Sequence, residues 1–187
     1  LMQYIYLPIE IKKRELLSRI LFSIEASKRG ITTIIASKSN IMQYLRYFPK
    51  GDYFLKSIQH GTINRINKIK KYGHRVHAFD EEGLMHYDDQ FYLRRIGSEA
   101  IRKLDYFFLW GDNDHKILSN KFPELIDKFK IAGNGRIDVL KFPFNKFLDR
   151  EVEEIHEKYG NYILFSTKFG KVNYIERDDI NDYIDGQ

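Results

Sequence analysis

The chain has 187 residues, 43% of them hydrophobic and 15% aromatic, with no cysteine and a formal charge of +5. That size and apolar content allow a folded core and exclude a disordered or low-complexity chain, while the lack of cysteine excludes disulfides, thiolate metal sites and cysteine nucleophiles. The mild excess of Lys and Arg suits a phosphorylated ligand, nucleic acid or an anionic membrane surface without choosing among them.

Short apolar runs alternate with amphipathic segments along the chain. Tyr4–Leu7 predicts a first strand, ending at Pro8, Ile9 and Glu10. Leu16, Leu17, Ile20, Leu21 and Ile24 recur at helical spacing and predict an amphipathic helix stopped by Gly30. Ile31–Ala36 is β-branched and reads as a strand, followed by a helix capped at Ser39 or Asn40 and running through Tyr47. Tyr53–Ile58 predicts a strand, Thr62–Lys71 a basic helix closed by Gly73, and Arg75–Phe79 a further strand. Ser98–Leu104 reads as a short helix, Tyr106–Trp110 as a strongly apolar strand and His115–Lys121 as a helix. Phe129–Ala132 is a short strand, residues 146–159 a charged helix, and Tyr162–Ser166 a last strand. Strands that are apolar throughout, in a β-α-β-α series, predict an α/β fold with a Rossmann-like, mostly parallel sheet and helices on both faces. No apolar run reaches the roughly 18–20 residues that span a bilayer.

Ligands of open α/β sheets bind beyond the carboxyl ends of the strands, so the residues there are the candidate site. They are Glu10 after the first strand, His60 after the third, and Asp80, Glu81, Glu82 and Gly83 after the fourth. Gly133, Asn134, Arg136 and Asp138 follow the sixth. Confining adjacent carboxylates raises the pKa of at least one, which makes it a useful general base; a solvated acidic turn is the plainer alternative. Arg136 can clamp a phosphate or carboxylate, or can brace its loop through Asp138. His74 and His77 face different sides of a strand start, and no histidine spacing points to a metal. The aromatic residues follow the core pattern rather than forming a nucleic-acid platform, so no nucleic-acid partner is expected.

An ordered set of short motifs carries a family resemblance. Tyr6-Leu7-Pro8-Ile9-Glu10-Ile11 with Arg14-Glu15-Leu16 opens it. Pro49-Lys50-Gly51 with Lys56-Ser57, and His74–Ala78 leading into Asp80-Glu81-Glu82-Gly83, continue it. Trp110-Gly111, Gly133-Asn134 with Arg136 and Asp138, and Thr167 with Phe169-Gly170 complete it. The set resembles bacterial surface carbohydrate biosynthesis proteins, glycosyltransferases with two Rossmann-like domains in the GT-B arrangement. It departs from them at Gly135, where the family usually has Pro, and at Lys168, where it has Asn.

The resemblance implies an acceptor-side domain over 1–145, a linker helix over 146–160, and the start of a truncated donor-side domain over 161–187. It implies transfer of a sugar from a nucleotide-sugar donor to a glycan or lipid-linked acceptor in surface polysaccharide synthesis. The expected setting is cytoplasmic, with peripheral contact at the anionic inner face of the membrane, and with neither metal nor cofactor. Glu82, Glu81 or Glu10 would be the base, with Glu10 held by Arg14. His60, Asp80, Gly83, Gly133, Asn134, Arg136 and Asp138 would bind substrate, and Thr167, Lys168 and Gly170 the donor. A sugar-nucleotide epimerase of the same architecture and a non-catalytic module for anionic ligands are the alternatives.

Overall fold

A computed structural model describes residues 3–83 and 88–165. Its strands are β1 (Gln3–Ile9), β2 (Ile31–Ser37), β3 (Asp52–Leu55), β4 (Arg75–Phe79), β5 (Tyr106–Leu109) and β6 (Phe129–Ile131). They form one sheet in the order β2-β1-β3-β4-β5-β6, and every neighbouring pair is parallel. Parallel neighbours need a crossover of a dozen or more residues, and helices supply it. The fold is therefore the α/β, Rossmann-like one that the apolar strands predict.

Side chains alternate across the sheet and build two unequal cores. On β4, Val76 and Ala78 enter the larger cluster, together with Tyr6, Tyr53, Leu55, Phe107 and Leu109 from the other strands. That face is covered by α2 (Lys38–Tyr44), α3 (Ile63–Lys71), α4 (Asp89–Arg95), α5 (Ser98–Lys103) and α6 (Asp112–Lys121), through residues such as Ile41, Ile69, Tyr92, Ile101 and Leu118. The opposite face is thinner. There Ile5, Leu7 and Phe54 pack with Ile35, Phe79, Phe108 and Phe22 of α1 (Lys12–Ser27). The short α7 (Gly135–Asp138) lies on α1, where a Cβ at Gly135 would meet Ser18 Cβ at 3.7 Å. At the opposite end of the sheet, Gly51 permits the approach of β1 to β3: a Cβ there would lie 2.3 Å from the Tyr4 carbonyl oxygen.

Several boundaries differ from those read in the sequence. Ser37, not Ser39 or Asn40, caps α2: its hydroxyl accepts the Asn40 N–H at 3.2 Å. The helix gives way to a 3₁₀ turn over Leu45–Tyr47. The third strand stops at Leu55, where the apolar run meets Lys56. The larger correction concerns α1. Of its apolar stripe, Leu17, Ile20 and Ile24 are 40–49% exposed and Leu16 and Leu21 only half-buried, whereas Glu15, Ser18, Arg19 and Ala26 are buried.

The chain divides into two units, Leu1–Asn145 and Lys146–Gln187. The described part of the second holds α8 (Asp149–Tyr159), whose Val152, Ile155 and Tyr159 are exposed. The strand expected over Tyr162–Ser166 is corrected in its described part: residues 162–165 are exposed and pair with no strand among the described residues. Without a neighbouring ladder, apolar composition alone does not make a strand. Ser166 lies outside the described residues. Among those residues no helix is long and apolar enough to cross a membrane.

Candidate functional site

The sheet order places β2 on one side of β1 and β3 on the other, so the connections leaving β1 and β2 run in opposite directions. The crevice beyond the carboxyl ends of β1 and β3 is the topological switch point, where open α/β sheets take ligands. Glu10 and Lys56 occupy it. Lys56 Nζ lies 2.8 Å from Glu10 Oε2, 3.7 Å from Glu82 Oε1 and 3.8 Å from Glu15 Oε1. Lys38 Nζ takes the other Glu10 oxygen at 2.5 Å, and Glu15 Oε2 accepts the Glu10 N–H at 2.7 Å. Burial pushes the Glu10 pKa up, but hydrogen bonds and charge from Lys38 and Lys56 outweigh it and hold the carboxyl at about 2. Glu10 is thus an anchor for two lysines and a weak base. Contrary to what the resemblance implies, these lysines and not Arg14 hold Glu10. Arg14 instead reaches Glu15, at 3.8 Å.

One strand further along, alternation separates two adjacent carboxylates. The Asp80 N–H bonds to the Phe108 carbonyl at 3.0 Å and the Glu81 N–H to the Lys56 carbonyl at 3.0 Å, so sheet pairing continues past β4. Asp80 turns to the larger core. Its Oδ2 accepts from Tyr92 Oη and its Oδ1 from Arg95, each at 2.7 Å, and its carbonyl accepts from Trp110 Nε1. Glu81 turns to the α1 face, where its Oε1 meets the Arg19 guanidinium at 2.5 Å with both side chains at most 5% exposed. Burial raises the Glu81 pKa, Arg19 counteracts this, and the Glu15 charge raises it again. The net direction is upward. Arg19 also lies over the Phe79 ring at 5.1 Å, and its buried Nε has no hydrogen-bond partner among the described residues. An unpaired buried N–H costs about 1–3 kcal/mol.

Arg19 and Glu81 stand on the wall of a cavity of about 570 Å³ between α1, the sheet and the segment after β6. Phe54, Phe79 and Phe108 form its floor, with ring centroids 5.0 Å apart for Phe54–Phe79 and 5.7 Å for Phe54–Phe108. Gly133, Asn134, Arg136, Asp138 and Phe144 also line it. Gly133 takes a positive φ of 70°, and Asn134 caps α7 by accepting the Arg136 N–H at 2.9 Å. Arg136 makes no ion pair among the described residues, while its charge acts on Glu81. Asp138 does not brace Arg136 but pairs with Lys141 at 2.7 Å.

The structure therefore brings Glu10 and Glu82 together through Lys56, and Glu81, Gly133, Asn134, Arg136 and Asp138 around the cavity. His60 belongs to neither group: it is exposed, and its Nε2 bonds to the Arg94 carbonyl at 3.1 Å. Gly83 serves steric closeness, since a Cβ there would lie 2.2 Å from Asp80 Oδ2 and 3.1 Å from Trp110 Cδ1. Thr167, Lys168 and Gly170 lie outside the described residues. His74 and His77 point to opposite cores, the first against Tyr6 and the second against Phe54.

Sequence reading passed over Arg19, Glu15, Lys38 and Lys56 as site residues. A signal existed for α1: Glu15, Ser18, Arg19, Phe22 and Ala26 form their own helical stripe, hidden because three of the five are polar. For Lys56 the signal was a charge ending the run Tyr53-Phe54-Leu55. Set against family models, curated proteins and solved structures, the chain matches none of them.

Proposed function

We propose that residues 1–145 are the acceptor-side domain of a glycosyltransferase that builds a cell-surface polysaccharide at the inner face of the membrane, with Glu81 as the base. The observation that carries this reading is the placement of Glu81 on the cavity wall beyond the strand ends, with one oxygen fixed by Arg19 and, among the described residues, no hydrogen bond to Oε2. In the reaction the acceptor hydroxyl gives its proton to Glu81 as its oxygen attacks the anomeric carbon of a nucleotide sugar. The bond from that carbon to the phosphate oxygen breaks, and the nucleoside diphosphate leaves with the electron pair. Glu82, half-exposed beside Lys56, and Glu10, held by two lysines, suit the role less well. Arg136 supplies positive charge for an anionic group of donor or acceptor.

Sugar transfer from a panel of nucleotide sugars to membrane-lipid and oligosaccharide acceptors tests the reading. Glu81→Gln is expected to lower kcat by about 10²–10⁴ with little change in KM, the usual loss of a positioned base. The acid limb of the wild-type pH profile should lie above the ordinary carboxylate value of 4.5, since burial raises this group. Unchanged transfer by Glu81→Gln, or no transfer by the wild type to any acceptor, overturns it.

A further inference from the structure

The cavity beside Glu81 combines features that sugar transfer alone does not require. Its floor is three phenyl rings from adjacent strands, and Phe22 and Phe144 add to its walls. A sugar ring asks for many hydrogen-bond partners, and this floor offers none. The lining also carries polar groups, among them Arg19, Glu81, Asn134 and Arg136, with Asp138 paired to Lys141. Of these, Arg19 is consumed by Glu81, and the Asn134 side-chain oxygen by its cap. Arg136 alone carries a charge that no ion pair among the described residues neutralises. The buried Arg19 Nε adds a donor without an acceptor among the described residues. About 570 Å³ lies within the usual range for sites that enclose a small molecule.

We infer that this cavity binds an amphiphile, an apolar chain or ring system bearing one phosphate, with the apolar body over Phe54, Phe79 and Phe108 and the phosphate at Arg136. Burial of the chain supplies most of the affinity, because water leaves both the alkyl surface and the rings. The phosphate supplies selection, because the guanidinium gives paired donors to two of its oxygens in a partly dry site. The inference stands on the cavity and deepens the proposed reading: it names the acceptor as a sugar hydroxyl carried on a lipid phosphate, which anchors it, rather than on a free glycan.

Calorimetric titration with dodecyl phosphate, below its micelle concentration and without any nucleotide sugar, is the test. Dodecanol and inorganic phosphate are the controls, each carrying half of the ligand's chemistry. Dodecyl phosphate is expected to bind about 10-fold or more tighter than dodecanol, the worth of one charged hydrogen-bonded pair, and inorganic phosphate alone not to register. Arg136→Ala should erase the difference between the phosphate and the alcohol while leaving dodecanol binding intact. Phe144→Ser, at a half-exposed ring whose loss spares the core, should weaken both chain ligands several-fold. Circular dichroism of each variant confirms that it is folded.

Equal binding of dodecyl phosphate and dodecanol by the wild type, unchanged selectivity in Arg136→Ala, or no binding of dodecyl phosphate overturns the inference. Binding with the expected selectivity, beside a lack of sugar transfer, overturns the glycosyltransferase reading and leaves this one standing.

Discussion

His74 shows how a single titratable side chain is fixed by its partners. Its Nδ1 accepts the Gly51 N–H at 3.3 Å, so the proton must sit on Nε2, which donates to the Leu45 carbonyl at 3.2 Å. The Gly51 bond needs the neutral ring, whereas the Leu45 bond survives protonation. Burial lowers the pKa from 6.5, the bond to the Leu45 carbonyl offsets part of this, and Lys50 lowers it further. The folded value lies below the unfolded one, so the unfolded chain binds more protons as the pH drops. The stabilising contribution is complete above 6.5 and is lost as the pH falls from there through the folded value. The denaturation midpoint should therefore hold above pH 6.5 and decline as the pH falls below it, and His74→Gln, which keeps a donor for the Leu45 carbonyl, should flatten part of that decline. An identical slope in wild type and variant would show that the ring does not titrate in this way.

At the scale of one element, α1 is the clearest case of the sequence being read by the wrong face. Periodicity picks out Leu16, Leu17, Ile20, Leu21 and Ile24, but the helix leaves Leu17, Ile20 and Ile24 exposed and buries Glu15 and Arg19. The reason lies outside the helix: Glu81 and Lys56 emerge on that face and need counter-charges, and a helix-local hydrophobic pattern carries no record of them. The strands were legible because parallel strands buried on both faces are apolar throughout. The carboxylates at their ends were legible because chain polarity fixes where strand ends lie. The division of Asp80 from Glu81 was not legible, since it depends on which face each helix covers. These facts set two costs apart. Arg19→Ala strands Glu81 as an unpaired buried acid and should destabilise by about 3–5 kcal/mol. Leu17→Gln, Ile20→Gln and Ile24→Gln, at half-exposed positions, should each cost less than about 1 kcal/mol. Urea unfolding of the four variants measures both, and a larger loss from the apolar stripe than from Arg19 would reverse the assignment of the faces.

At the scale of the whole molecule, the sheet order decides what belongs together. The strand order β2-β1-β3-β4-β5-β6 closes within residues 3–131, and among the described residues both hydrophobic clusters draw only on those between Tyr4 and Phe129. The cavity is completed by Phe142 and Phe144, just before the unit ends at Asn145. A domain with its own core and its own ligand crevice has what it needs to fold alone. A chain ending at Asn145 is therefore expected to unfold in one cooperative transition, with its helical circular dichroism retained. It should also bind dodecyl phosphate with the affinity of the full chain, because every cavity residue precedes the cut. Proton–nitrogen NMR spectra of the two chains give the sharper comparison: resonances of β1 through β6 should superimpose. A chain ending at Asn145 that melts without a cooperative transition, or whose strand resonances collapse to the random-coil region, would mean that the sheet is not an independent folding unit.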